Sequence, residues 1–229
     1  MLAKKKKLSK KEIKEDKLVT TFYEARGFYE ENQTMIFAAV GILAAIIIGI
    51  ILYTNKVESD NLTASVELSR VIPSYNAGLY QEAIDGKPGT KMLGLIKIVD
   101  EYGDSELGEL ARIYLANAYY FTGQYDKAFE QYDAYSGSDD LMIASAFAGK
   151  ASVYAIKSNY ESAAEFYSKA ASVSEYDPSN ADYLLKAAIN YIKSHDFVNA
   201  KASLEKIKKD YKASLASREV DRYLAQIPG

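Results

Sequence analysis

Residues 35–53, from Met35 to Tyr53, form a run of nineteen residues without one charged side chain. At helical rise they reach roughly 28 Å, about the thickness of a bilayer's hydrocarbon core. The run shows no polar face, which a helix on the surface of a soluble protein would carry. It is longer than the apolar part of a signal peptide. The residues that follow it, Thr54 to Ser59, offer no small-x-small cleavage pattern. The reading is an uncleaved transmembrane helix. It divides the chain into a tail at 1–34, a span at 35–53 and a body at 54–229 that is long enough for one well-packed domain.

Charge sets the expected orientation. The tail holds nine basic residues: Lys4, Lys5, Lys6, Lys7, Lys10, Lys11, Lys14, Lys17 and Arg26. The immediate flanks are balanced, so the short basic tail decides, because long domains translocate largely regardless of charge. The N-terminus is expected in the cytoplasm and the body outside it. The body carries 19 basic and 25 acidic residues, a formal charge near −6, which argues against nucleic acid as a partner. The chain has no cysteine, hence no disulfide, thiolate metal site or cysteine nucleophile.

Within the tail, Lys4 to Lys17 serves as a topology signal that also attracts anionic lipid. Leu18, Phe22, Ala25 and Tyr29 follow at i, i+4, i+7 and i+11, one face of a helix, with Asp16, Thr20, Glu24 and Glu31 opposite. A short amphipathic helix at the membrane interface accounts for this pattern. Docking on another membrane protein is the alternative.

The body repeats itself. Gly123 to Ala128, Ser158 to Ala163 and His195 to Ala200 each contain a small or polar turn, an aromatic residue and an alanine three later. The aromatics (Tyr125, Tyr160, Phe197) lie 35 and 37 residues apart. Six residues before each sits a tyrosine (Tyr119, Tyr154, Tyr191), and three earlier again an alanine (Ala116, Ala151, Ala188). Large side chains follow at Tyr132, Tyr167 and Leu204. Alanine at the inner positions lets paired helices cross closely, and the aromatics fill the space toward the next pair. The units run roughly over 109–142, 144–177 and 181–214. A weaker fourth is announced by Gly78 to Ala83 and interrupted by the turn-rich segment Asp85 to Thr90, with helix resuming over Met92–Tyr102. The last segment, Ser214–Ile227, reads as a helix that caps the array.

This pattern resembles the tetratricopeptide repeat (TPR), a helix–turn–helix unit of 34 residues. It departs from that family at Arg112, Phe147 and Leu184, where tryptophan is usual, and at Tyr135, where a small residue is usual. The fold class is therefore all-α: an N-terminal amphipathic helix, one transmembrane helix, a neck with a degenerate repeat at 54–108, and a TPR-like α-solenoid with its cap at 109–229. The resemblance implies a concave groove lined by Leu110, Ile113, Asn117, Tyr120 and Phe121 of the first unit. From the second it takes Ala148, Ser152, Ala155 and Ile156, and from the third Asp182, Leu185, Ile189 and Lys193. That surface is apolar and aromatic and suits an extended or helical protein segment docked by its side chains. The lysines and second asparagine of carboxylate-clamping TPR grooves are missing.

The whole layout, with Gly27 to Gln33 just before the span, also resembles the YfgM family, single-span TPR proteins of the bacterial inner membrane. That resemblance implies a periplasmic body and an ancillary place beside the SecYEG translocon and the periplasmic chaperone PpiD. Catalytic chemistry is not expected. His195, the only histidine, lies in a repeat turn, and the acid pairs Asp100–Glu101 and Asp139–Asp140 read as solvated. Gly86 to Thr90 lacks the spacing of a phosphate-binding loop. No cofactor, metal or small-molecule substrate is implied. The expected function is a membrane-tethered protein-interaction scaffold at the export machinery. The competing expectation is a structural subunit of another envelope assembly, serving outer-membrane protein insertion, cell-wall synthesis or respiration.

Overall fold

The computed structural model describes residues 10–228, in which there are ten helices and no strand. Lys4, Lys5, Lys6 and Lys7 lie outside the described residues, as do the side chains of Lys10, Lys11, Lys14 and Leu18. The chain forms two compact units, Met1–Asn55 and Lys56–Gly229. Helix α1 (Lys10–Asn76) begins in the first and ends in the second.

In the first unit α1 is helical throughout, with one interruption. Asn32 has φ −114° and ψ 18°, and its side-chain amide donates to the Phe28 carbonyl at 2.9 Å. The apolar run begins three residues later, at Met35. None of the surface of its most apolar stretch is buried, and the helix is long and apolar enough to cross a membrane.

The second unit holds the end of α1 and the helices α2 (Tyr80–Asp85), α3 (Leu95–Tyr102), α4 (Glu106–Phe121), α5 (Tyr125–Asp133), α6 (Asp140–Ile156), α7 (Tyr160–Ala170), α8 (Asn180–Lys193), α9 (Phe197–Asp210) and α10 (Leu215–Leu224). From α3 onward each helix packs on the next in sequence. Side-chain caps fix many starts. Ser105, Asp139, Asn159, Asp196 and Ser214 each accept an N–H three residues on, at 2.9–3.2 Å, which satisfies donors that a helix cannot pair internally.

Four turns share one backbone. Gly78, Gly123, Ser158 and His195 all take positive φ, between 59° and 77°. The next residue (Leu79, Gln124, Asn159 or Asp196) has φ between −81° and −87° with ψ of 56–76°. An aromatic side chain then starts the following helix. In each turn the N–H after the left-handed residue returns to a carbonyl five positions back (Ser74, Tyr119, Tyr154, Tyr191) at 2.8–2.9 Å, which closes the helix end. The weak signal at Gly78 to Ala83 is therefore a turn of the same kind, pairing the last turns of α1 with α2.

The alanines read from the sequence sit where the helices cross. Ala116, Ala151, Ala188, Ala128, Ala163 and Ala200 are all at 0% exposure. One cluster gathers Leu68, Val71, Ile84, Leu95, Ile98 and Leu115 between α1 and α4, and another closes the far end with Leu184, Leu204, Ile207 and Val220. The helix expected over Ser214–Ile227 is α10. It starts at Leu215 and is shorter than the segment anticipated. The segment from Asp85 to Gly94 crosses itself tightly. A Cβ on Gly94 would press on the backbone of Asp85 and Gly86, and Gly94 has φ 84°, so helix resumes only at Leu95, later than Met92. Buried Glu109 receives Arg112 Nε at 3.1 Å and the Ser136 N–H at 2.9 Å, fastening the α5–α6 loop to α4.

Candidate functional site

Facing residues of α4, α5, α6 and α8 line an open cavity of about 330 Å³ in the second unit. Helix α4 contributes Asn117, Tyr120 and Phe121. Helix α6 contributes Ser145, Ala148, Gly149 and Ser152, which recur at i, i+3, i+4 and i+7 and so share one face. Tyr132 enters from α5, and Tyr183 and Lys186 from α8.

Two hydroxyl contacts brace the walls. The Tyr132 hydroxyl donates to Asn117 Oδ1 at 2.6 Å, and the Tyr167 hydroxyl lies 2.8 Å from Ser152 Oγ. The Tyr132 ring lies over Gly149, where no side chain would fit. At the rim Phe121 is 57% exposed and stacks on Tyr80 at 4.8 Å, and Tyr120 meets Tyr125 edge-on at 5.6 Å.

Burial sets the electrostatics of the lining. Burial raises the hydroxyl pKa of Tyr120, Tyr132, Tyr167 and Tyr183 above its ordinary value of 10.0. These phenols stay neutral donors at physiological pH. The lining includes one charge, Lys186, whose ammonium lies 5.7 Å from the centre of the Tyr167 ring. Such a cavity presents donors, aromatic surface and one cation.

Of the residues anticipated for the groove, Asn117, Tyr120, Phe121, Ala148 and Ser152 come together in this cavity. Ile113 does not belong to it. It is 4% exposed and packed in the core cluster shared by α1 to α6, because α4 is covered by its neighbours on that side. Leu110 packs against the same cluster, and Leu185 against the one that closes the far end. Ala155, Ile156 and Ile189 are outside the cavity lining, as are Asp182 and Lys193. On α8 the facing positions are Tyr183 and Lys186, one residue later than Asp182 and Leu185. Leu185 and Tyr183 both pack against the core that includes Val220, and Tyr183 also lines the pocket. Tyr132 and Gly149 were missed, although a large ring and a glycine on adjoining helices are a complementary pair.

In the first unit Phe22 and Tyr29 are 63% and 42% exposed, and Tyr23 and Phe28 join them at 65% and 58%. Arg26 and Glu30 pair at 2.8 Å, one turn apart, cancelling their charges beside these aromatics.

Comparison of the chain with known protein families, with curated proteins and with solved structures finds no match.

Proposed function

We propose that this protein is a non-enzymatic, membrane-anchored scaffold. Its body is a TPR-like α-solenoid that holds a segment of another protein in the groove between α4, α6 and α8. The observation that carries this reading is the cavity itself. Three first helices of successive pairs supply one continuous lining of aromatic rings, hydroxyls and small residues, with walls braced by their own hydrogen bonds. The shared turn geometry supports the repeat reading. The exposed apolar helix supports the anchor. The resemblance to the YfgM family favours the periplasmic face of the bacterial inner membrane and a partner in the export machinery, with Phe22 and Tyr29 at the membrane interface. A tether raises the effective concentration of the groove for clients near the membrane.

Photo-crosslinking residues placed at Tyr120 and at Phe22 in intact cells test this reading. A translocon or chaperone component joined to the Tyr120 site is the expected product, with lipid or a membrane protein at Phe22. A reporter fused after Gly229 that stayed in the cytoplasm would sink the export reading. Crosslinks from Tyr120 only to this chain's own residues would sink the groove.

A further inference from the structure

The last two helices reverse the charge of the body. Residues 54–196 hold 12 basic and 21 acidic side chains, whereas residues 197–229 hold 7 basic and 4 acidic. Three ion pairs absorb part of that second set: Lys201 with Glu205 at 4.0 Å, Lys208 with Asp221 at 2.6 Å, and Arg222 with Glu219 at 2.5 Å. Lys206, Lys209, Lys212 and Arg218 remain, all exposed, against Asp210 as the one acid left over.

Three of them lie on helices, and Lys212 lies in the turn between α9 and α10. On α9, Val198, Ala202, Lys206 and Lys209 stand at i, i+4, i+8 and i+11, a single outer face that also includes Glu205, paired with Lys201, while Ala200, Leu204 and Ile207 are buried on the inner one. On α10, Leu215 precedes Arg218 by three residues and shares its side. Val198 is 80% exposed and Leu215 is 72% exposed, so each cationic face includes one large apolar side chain open to solvent.

We infer that the outer faces of α9 and α10 form a docking surface for an anionic phospholipid bilayer. Charge complementarity selects this occupant. Flexible lysines without fixed acceptors answer a field of phosphates better than the bidentate geometry of one protein carboxylate. An isolated valine and leucine among cations suit shallow entry at the headgroup level. The rest of the body is acidic and is repelled by the same lipid, so only this end is admitted. This inference does not depend on what the groove holds.

The test uses the full chain, reconstituted in nanodiscs of phosphatidylcholine and mixed with separate vesicles. Lys4–Lys17 would also attract anionic lipid, so the tail lysines are changed to glutamine throughout. The discs should float with vesicles containing phosphatidylglycerol, not with pure phosphatidylcholine vesicles, and should release them at high salt. The K206Q/K209Q/K212Q/R218Q variant should bind at least tenfold more weakly, given roughly fivefold per cation at an anionic surface. The K91Q/K97Q variant, altered elsewhere on the body, should bind as before, and circular dichroism checks that each variant is folded. Equal flotation of the quadruple variant overturns the inference. So does association of discs without vesicles that the quadruple variant abolishes, because a second copy then occupies the surface.

Discussion

At the scale of single residues, the cavity depends on Gly149. Tyr132 is 3% exposed and its ring occupies the space where a side chain at 149 would stand. Gly149→Ala forces that ring away and breaks its hydrogen bond to Asn117, at a cost of about 1–3 kcal/mol for overpacking. Tyr132→Phe keeps the ring and leaves Asn117 Oδ1 without this donor, at a cost of about 1–2 kcal/mol. Denaturant unfolding should rank Gly149→Ala as the more harmful, and crosslinking from Tyr120 should fall in that variant while persisting in Tyr132→Phe. The reverse order would mean that Tyr132 is held chiefly by its hydroxyl. This pairing was not legible in the sequence, because a glycine announces that something approaches it without naming what.

At the scale of elements, four turns use one backbone with different residues at the left-handed position. Gly78 and Gly123 adopt it freely, whereas Ser158 at φ 59° and His195 at φ 63° hold a Cβ against the following carbonyl. Ser158→Gly and His195→Gly should each stabilise the body by about 0.5–1 kcal/mol, read as a rise in the denaturant midpoint. No gain at either site would show that the side chain makes a compensating contact. The helices themselves were legible, because alanine and tyrosine spacings of 35 and 37 residues recur through α4 to α9 and every inner alanine is buried. The facing side of α8 was not. Tyr183 and Leu185 both pack against the cluster that includes Val220, and only Tyr183 also reaches the pocket, a difference that residue type alone does not announce. Ile113 was misplaced for a similar reason, since its burial depends on helices outside its own unit.

At the scale of the whole molecule, buried phenols link stability to alkaline pH. Tyr119, Tyr120, Tyr132, Tyr135, Tyr167 and Tyr183 all have pKa values raised above the ordinary 10.0, chiefly by burial. The native state keeps these protons after the unfolded chain has released them. Their contribution is complete below pH 10 and is lost as pH rises through the raised values. Ultraviolet titration should show exposed tyrosines ionising first and a later cooperative step that coincides with loss of helix. Independent ionisation of all tyrosines near pH 10 would contradict the burial. The all-helical character and the one long apolar helix among the described residues were legible because each is set by composition and period over many residues. The identity of a partner is set by a few side chains whose neighbours come from separate helices. The shared turn has a further consequence. Helices α3 to α10 rest mainly on the next helix in the chain, so their stabilising contacts are close in sequence. Such contacts close short loops at small entropic cost and favour rapid folding. The body can therefore consolidate in chain order as it is synthesised, each pair settling on the one already formed.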